Sequence, residues 1–231
     1  GPMSLERIVS PSISDLNDVI EFEKALANGL GSMHGPLGDY FDAKHPIFIV
    51  RAPARLDCMG GIADYSGATV CELPLDRAVV LAIQGRRDRQ VVIHSHGIDR
   101  DGLSPDVTLS LDTQGSSKRA IRYGRIREAF SETPGTSWAG YVAGIFPVLL
   151  KEGILDKVPH GATIVFTSNI PLGSGISSSA AVEIATVLGV NLLYDLRLQG
   201  LELARLAQIV ENQIMGAPCG IMDQVTSVLG R

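Results

Sequence analysis

The sequence predicts an α+β domain, and three observations carry that expectation. Strand-like segments come first along the chain and helical ones follow, with a single strand interposed, an order that favours α+β over a doubly wound sheet. The 231 residues are 45% hydrophobic and 19% charged, enough apolar mass for a substantial core. A strand over residues 162–167 runs straight into a Gly/Ser turn that opens a helix.

Taken in order, residues 8–30 repeat apolar side chains at helical spacing (Val19, Phe22, Leu26, Leu30). This predicts an amphipathic helix that starts near Ser14 and Asp15 and stops at Gly29 to Gly31. Residues 47–51 read as a short strand. Residues 70–73 and 78–83 read as two more, the second apolar on both faces and therefore central. Segments 90–95 and 107–111 alternate more cleanly, which predicts a sheet with one exposed face. Helices are expected over 117–130, over 139–150 despite Pro147, over 178–193 and over 201–215. No repeat, low-complexity run or interdomain linker is visible.

Composition narrows the function classes. With 25 acidic against 20 basic residues the net charge is −5, so nothing calls for nucleic acid or an anionic membrane as partner. Lys118, Arg119, Arg122, Arg125 and Arg127 read as a solvated helix face. Cys58, Cys71 and Cys219 form no CxxC pair and no even disulfide framework, which fits a reducing cytoplasm. Cys219 has no histidine near it in sequence and reads as a packed small residue. No apolar stretch is long enough to cross a bilayer, no signal peptide opens the chain, and Gly1–Pro2 reads as a remnant of tag cleavage. His94 and His96 share a strand face but lack a third ligand, so a metal pair is not expected.

The segment "NIPLGSGISSSAAVEIA" (residues 169–185) carries the most chemistry. Gly173 and Gly175 permit φ > 0 and close backbone approach, and Ser177, Ser178 and Ser179 precede a small, apolar helical run. Free N–H groups at such a helix start hold an anion, and a nucleotide phosphate suits the site. The serine hydroxyls can donate to phosphate oxygens or approach Mg2+. It is neither a Walker A loop nor a dinucleotide fingerprint, because no Gly-Lys-Ser/Thr and no third glycine follow. The bland alternative is a serine-capped helix after a glycine turn.

This segment, from Pro171 through Gly173, Ser174 and Gly175 to Ala180, resembles the phosphate-binding motif of the GHMP kinases, the family of galactokinase, homoserine kinase and mevalonate kinase. "RAPARLDCMGGIADYSG" (51–67) and "ENQIMGAPCGIMDQ" (211–224) resemble motifs of its sugar-kinase branch, in the family's order. The resemblance implies a mixed sheet packed against helices, the fold named after the second domain of ribosomal protein S5. Residues 47–231 would form the ATP- and sugar-binding N-terminal domain, preceded by an N-terminal helix and loop over 3–46. Family members continue into a second domain. Nothing here matches it, so the chain is expected to be part of a longer protein and inactive alone.

The resemblance also implies roles. Asp223 aligns with the catalytic aspartate, which accepts or orients a sugar hydroxyl, and Arg55 with the arginine beside it and the transferring phosphate. Glu211, with Ser179 or Ser178, aligns with the Mg2+ ligands; ATP is the implied cosubstrate. Gly220 and Asp64 fall at sugar-contacting positions. Phosphoryl transfer needs such a set, since it depends on positioning, neutralised charge and an oriented nucleophile. In galactokinases the positions of Gly61 and Ile62 usually hold Glu-His, facing the sugar's hydroxymethyl group. L-Arabinopyranose lacks that group, and "MGGIADYSG" (59–67) resembles the corresponding stretch of plant-type L-arabinokinases. L-Arabinose is therefore the first expected substrate. Galactose, another hexose or a uronate, and a non-catalytic sugar- and ATP-binding regulator, remain as alternatives.

Overall fold

The computed structural model describes residues 7–28, 37–42, 44–57, 72–96, 102–168 and 178–216. Two long strands, β2 (Ile47–Asp57) and β3 (Glu72–Gly85), run antiparallel after a short strand β1 (Arg7–Val9) that lies parallel to β2. On its other side β3 pairs with β6 (Ala162–Ser168), which is parallel to β4 (Gln90–His96). An antiparallel β5 (Asp106–Ser110) closes that edge. The sheet is mixed and six-stranded, in the order β1-β2-β3-β6-β4-β5.

Period-two alternation decides which residues face where. Val79, Leu81 and Ile83 point to one side of β3, and Val80 and Ala82 to the other; all are buried, so β3 is central as its composition predicts. It is one strand rather than the expected two. Pro74, Asp76 and Arg77 interrupt its apolar run, but Pro74 still pairs with Arg55, and the register shift between Pro53 and Arg55 absorbs Asp76 and Arg77 as a bulge. β1 is an element that three residues without a turn signal did not announce.

Helix α1 (Asn17–Asn28) covers one face. Its Val19, Phe22, Ala25 and Leu26 pack on Ile47, Ile49, Val80, Ala82 and Val165, and an Asp18–Arg51 ion pair at 2.9 Å ties it to β2. The sheet's solvated part is thus confined toward β5, whose residues are exposed or half-buried. Tyr40 donates to Asp106 Oδ1 at 2.7 Å and stacks on the buried His94, whose Nδ1 lies 2.9 Å from the same oxygen. That histidine clamps a turn to the sheet.

The opposite face carries α2 (Tyr123–Ser131), α3 (Gly140–Ala143), α4 (Ile145–Lys151), α5 (Ser178–Leu193) and α6 (Gly200–Ile209). Three expectations are corrected here. The helix expected over 117–130 starts at Tyr123, because Ser117 O accepts from the N–H groups of Ala120 and Ile121 in a separate turn that buries Ile121. Lys118, Arg119 and Arg122 are exposed but precede the helix, while Arg125 and Arg127 lie on it. The helix over 139–150 is divided at Gly144, since Pro147 offers no N–H to the Ala143 carbonyl. The last helix gives way to a π turn, Val210–Ile214, in place of continuing as α.

Between Arg86 and β6 the chain makes a contact no side chain tolerates. A Cβ on Gly161 would lie 2.0 Å from Gln90 O and 2.8 Å from Gln90 N, across the β4–β6 junction. Gly161→Ala should therefore destabilise the fold by about 2 kcal/mol or more, as overpacked sites do. Urea denaturation midpoints check this; an unchanged midpoint would contradict the packing described.

Candidate functional site

Small residues seat α5 on the sheet. Ala180, Ala181 and Ala185 are buried, and a Cβ on Gly189 would lie 3.1 Å from the side chains of both Leu81 and Ile83. β6 ends at Ser168 and α5 begins at Ser178, as the strand–turn–helix reading requires, so Ser179 stands in the first turn of a rigidly held helix.

Glu211 arrives from another direction. Beyond Ile209 the α-helical ladder changes, and Met215 N–H donates to Val210 O, five residues back, at 3.0 Å. Such a π turn inserts a residue into the helical register and re-aims the side chains it carries. Gly140 and Gly144, at the start of α3 and directly after its end, make room for it. A Cβ on Gly144 would lie 2.9 Å from Ile214 Cγ2 and 3.1 Å from Val210 Cγ1, and one on Gly140 would lie 2.5 Å from Met215 Sδ. Packed this way, the turn buries Glu211 to 8% exposure and presents its Oε1 to Ser179, whose Oγ donates at 3.0 Å.

Two neighbours were missed by sequence reasoning. Glu183, one helical turn beyond Ser179, is fully buried, and an acid isolated in the apolar run "AAVEIA" was the signal available for it. Tyr141 on α3 gave none. Its phenol is pushed above the ordinary value of 10.0, first by burial and then by the negative charges of Glu211 and Glu183, so both carboxylates act on this ring.

Of the residues read as functional, Ser179 and Glu211 are brought together. Ser178 opens α5. Arg55 is described by its backbone alone, paired with Pro74 directly after the β2–β3 bulge. Asp223, Gly220, Gly61, Ile62, Asp64, Pro171, Gly173, Ser174, Gly175 and Ser177 lie outside the described residues. No group of three or more His, Cys, Asp or Glu side chains able to hold a metal occurs among the described residues. A hydroxyl beside a buried carboxylate is nonetheless the hard-oxygen set that Mg2+ takes from proteins, which leave its other positions to phosphates and water.

Comparison with known proteins agrees with this geometry. The model of the GHMP kinases N terminal domain matches residues 141–231. The chain has the fold of the GHMP kinase N-terminal domain. L-Arabinokinase of Arabidopsis thaliana is 35% identical over 241 residues, which cover 95% of this chain and 23% of that protein. Galactokinase of Roseiflexus sp. (strain RS-1) is 35% identical over 187 residues, covering 81% of this chain and 41% of that protein. The chain thus spans less than half the length of these curated relatives. The GHMP fold is shared with Lactococcus lactis galactokinase complexed with galactose, at TM-score 0.63 and 22% identity over 90% of this chain and 45% of that one. It is shared too with the mevalonate kinase of Methanococcus jannaschii, at TM-score 0.58 and 20% identity over 78% of this chain and 50% of that one. Among the described residues of this GHMP domain no helix is long and apolar enough to cross a membrane.

The raised Tyr141 pKa makes a pH prediction. The unfolded chain loses this phenolic proton near 10.0, and the folded domain only at higher pH. The resulting stability is complete below that value and falls away as pH rises through it. Denaturation midpoints between about pH 9 and pH 11 should decline less steeply in Tyr141→Phe than in the wild type.

Proposed function

We propose that this domain is the nucleotide- and sugar-binding part of an ATP-dependent sugar 1-kinase, acting in the cytoplasm on the anomeric hydroxyl of a monosaccharide, L-arabinose first. The observation that carries the reading is the Ser179–Glu211 contact. It joins the glycine–serine segment to the "ENQIMGAPCGIMDQ" segment, two stretches far apart in sequence that phosphoryl transfer needs side by side.

In this reading residues 171–179 hold the phosphates of ATP with backbone N–H groups and serine hydroxyls. Ser179 and Glu211 would hold Mg2+, which would neutralise phosphate charge. Asp223 accepts the proton of the anomeric hydroxyl, whose oxygen forms a bond to the γ-phosphorus as the bond to the β–γ bridging oxygen breaks and ADP leaves. Arg55 offsets charge on the transferring group.

Sugar choice rests on residues 59–67. Asp64 binds ring hydroxyls, while Gly61 and Ile62 leave no polar partner for an exocyclic hydroxymethyl group and fill its space. The match to an L-arabinokinase over 95% of the chain supports the pentose. Galactose is the competing substrate, because a galactokinase matches at the same 35% identity. An apolar pocket rejects an added carbon group only by about 10- to 200-fold, so slow galactose turnover is expected.

ADP release by the full-length protein, with a panel of sugars, tests both levels. L-Arabinose should be phosphorylated faster than D-galactose; the reverse order refutes the pentose assignment, and no sugar-dependent ADP release refutes the kinase. Asp223→Asn should lower kcat by about 10²- to 10⁴-fold, the worth of a positioned general base, with a much smaller change in KM.

A further inference from the structure

Arg127 belongs to the basic set that the sequence places on a solvated face, and it is exposed. Its head, however, reaches the π turn. Nε donates to Gln213 O at 3.0 Å, across 86 residues of sequence. Carbonyls at the end of a helix have no partner further along it, so the guanidinium caps this end and meets the negative pole of the helix dipole. The arginine stem packs there too. Gly216 has φ +71°, and a Cβ on it would lie 3.1 Å from Arg127 Cδ.

The turn carrying Glu211 is therefore held on three sides. Gly140 and Gly144 receive its apolar residues, Ser179 bonds its carboxylate, and Arg127 fixes its end, two residues after Glu211. A π turn is a less regular hydrogen-bonded state than the α-helix it interrupts, so its geometry depends on such outside contacts. Arg127 also borders a cavity of about 280 Å³ with Phe130, Ile214 and Met215. Truncating it enlarges open space and leaves the core filled.

We propose that Arg127 is a positioning residue: by capping the π turn it keeps the Glu211 carboxylate against Ser179, and so sets the affinity of the divalent-cation site those two residues form. The proposal rests on the reading of that pair as cation ligands given above. Groups behind a metal ligand are known to tune affinity in this way. Arg127 touches neither substrate nor metal, and acts through the backbone of residue 213.

The test uses the full-length protein, with Mn2+ as probe in the presence of a non-hydrolysable ATP analogue. Mn2+ binding is followed by electron paramagnetic resonance, and the Mg2+ dependence of turnover is measured alongside. Arg127→Met keeps the stem and removes the donors; it should raise the Mn2+ dissociation constant and the half-saturating Mg2+ by about 3- to 10-fold, the worth of one hydrogen bond. Turnover at saturating Mg2+ should stay within about twofold, as expected when only ground-state cation binding is weakened. Arg127→Lys, which retains charge and a donor, should recover most of the affinity, and Arg125→Ala on the same helix should change neither quantity. Unchanged Mn2+ affinity in Arg127→Met overturns the proposal, as does an equal loss in Arg125→Ala, which would mark a general charge effect. If Glu211→Gln weakens Mn2+ binding but the wild-type protein phosphorylates no sugar, the kinase reading fails and the Arg127 comparison still decides. If Glu211→Gln leaves Mn2+ binding intact, the reading of Glu211 as a cation ligand and the Arg127 proposal both fail, whatever the turnover.

Discussion

A carboxylate taken out of water has to be compensated, and the arrangement of this domain meets that requirement at Glu211. Desolvating an anion costs several kcal/mol, whereas a hydrogen bond to a charged group returns about 1.5 to 3. Compensation is thus worthwhile only if the donor arrives in the right place without further ordering. The Ser179 hydroxyl does so because α5 is fixed by alanines and a glycine pressed against β3, in the middle of the sheet. Glu183, fully buried one turn beyond Ser179, places a second acidic side chain in the same packed interior.

A set of small residues brings Glu211 to α5. Glycines 140 and 144 let the π turn approach α3 more closely than any Cβ would allow, and the extra residue of that turn rotates Met215 and Gly216 relative to α6. Glycine in a helix costs about 1 kcal/mol relative to alanine. Two of them around a four-residue helix leave α3 with little stability of its own, so it persists through its neighbours. The π turn and α3 are therefore mutually dependent, and both are anchored by α5.

Legibility in the sequence tracks how local each determinant is. The span of α5 is readable to the residue, because its serine-rich start and unbroken small, apolar run are properties of consecutive residues. β3 reads as two strands because the bulge that carries Asp76 and Arg77 is set by the partner strand's register, which no single strand encodes. β1 is too short for periodicity to register. The π turn is invisible for a deeper reason. "VENQI" is compatible with an α-helix, and only the glycine face of α3 and the cap from Arg127, 70 and 86 residues away in sequence, select the wider turn. The same distance hides Arg127, which by composition alone looks like one of several solvated bases.

In the proposed reading, chemistry and substrate choice are carried by different parts of the sequence. Ser179 stands on a helix packed against the sheet and Glu211 on a π turn packed against α3, where a change of one methyl group is felt through close packing. Residues 59–67, read as the sugar-facing stretch, instead lie in sequence between the paired ends of β2 and β3, at Asp57 and Glu72. A connection between antiparallel strands can change its side chains without altering the ladder that anchors it. In the proposed reading, Gly61-Ile62 in place of Glu-His is a change of that kind, which asks for no shift of Arg55 on β2 or of Glu211 on the π turn. In that reading the domain exchanges one sugar for another while the phosphate-handling parts stay fixed, which fits the finding that relatives with different substrate names match this chain at the same 35% identity.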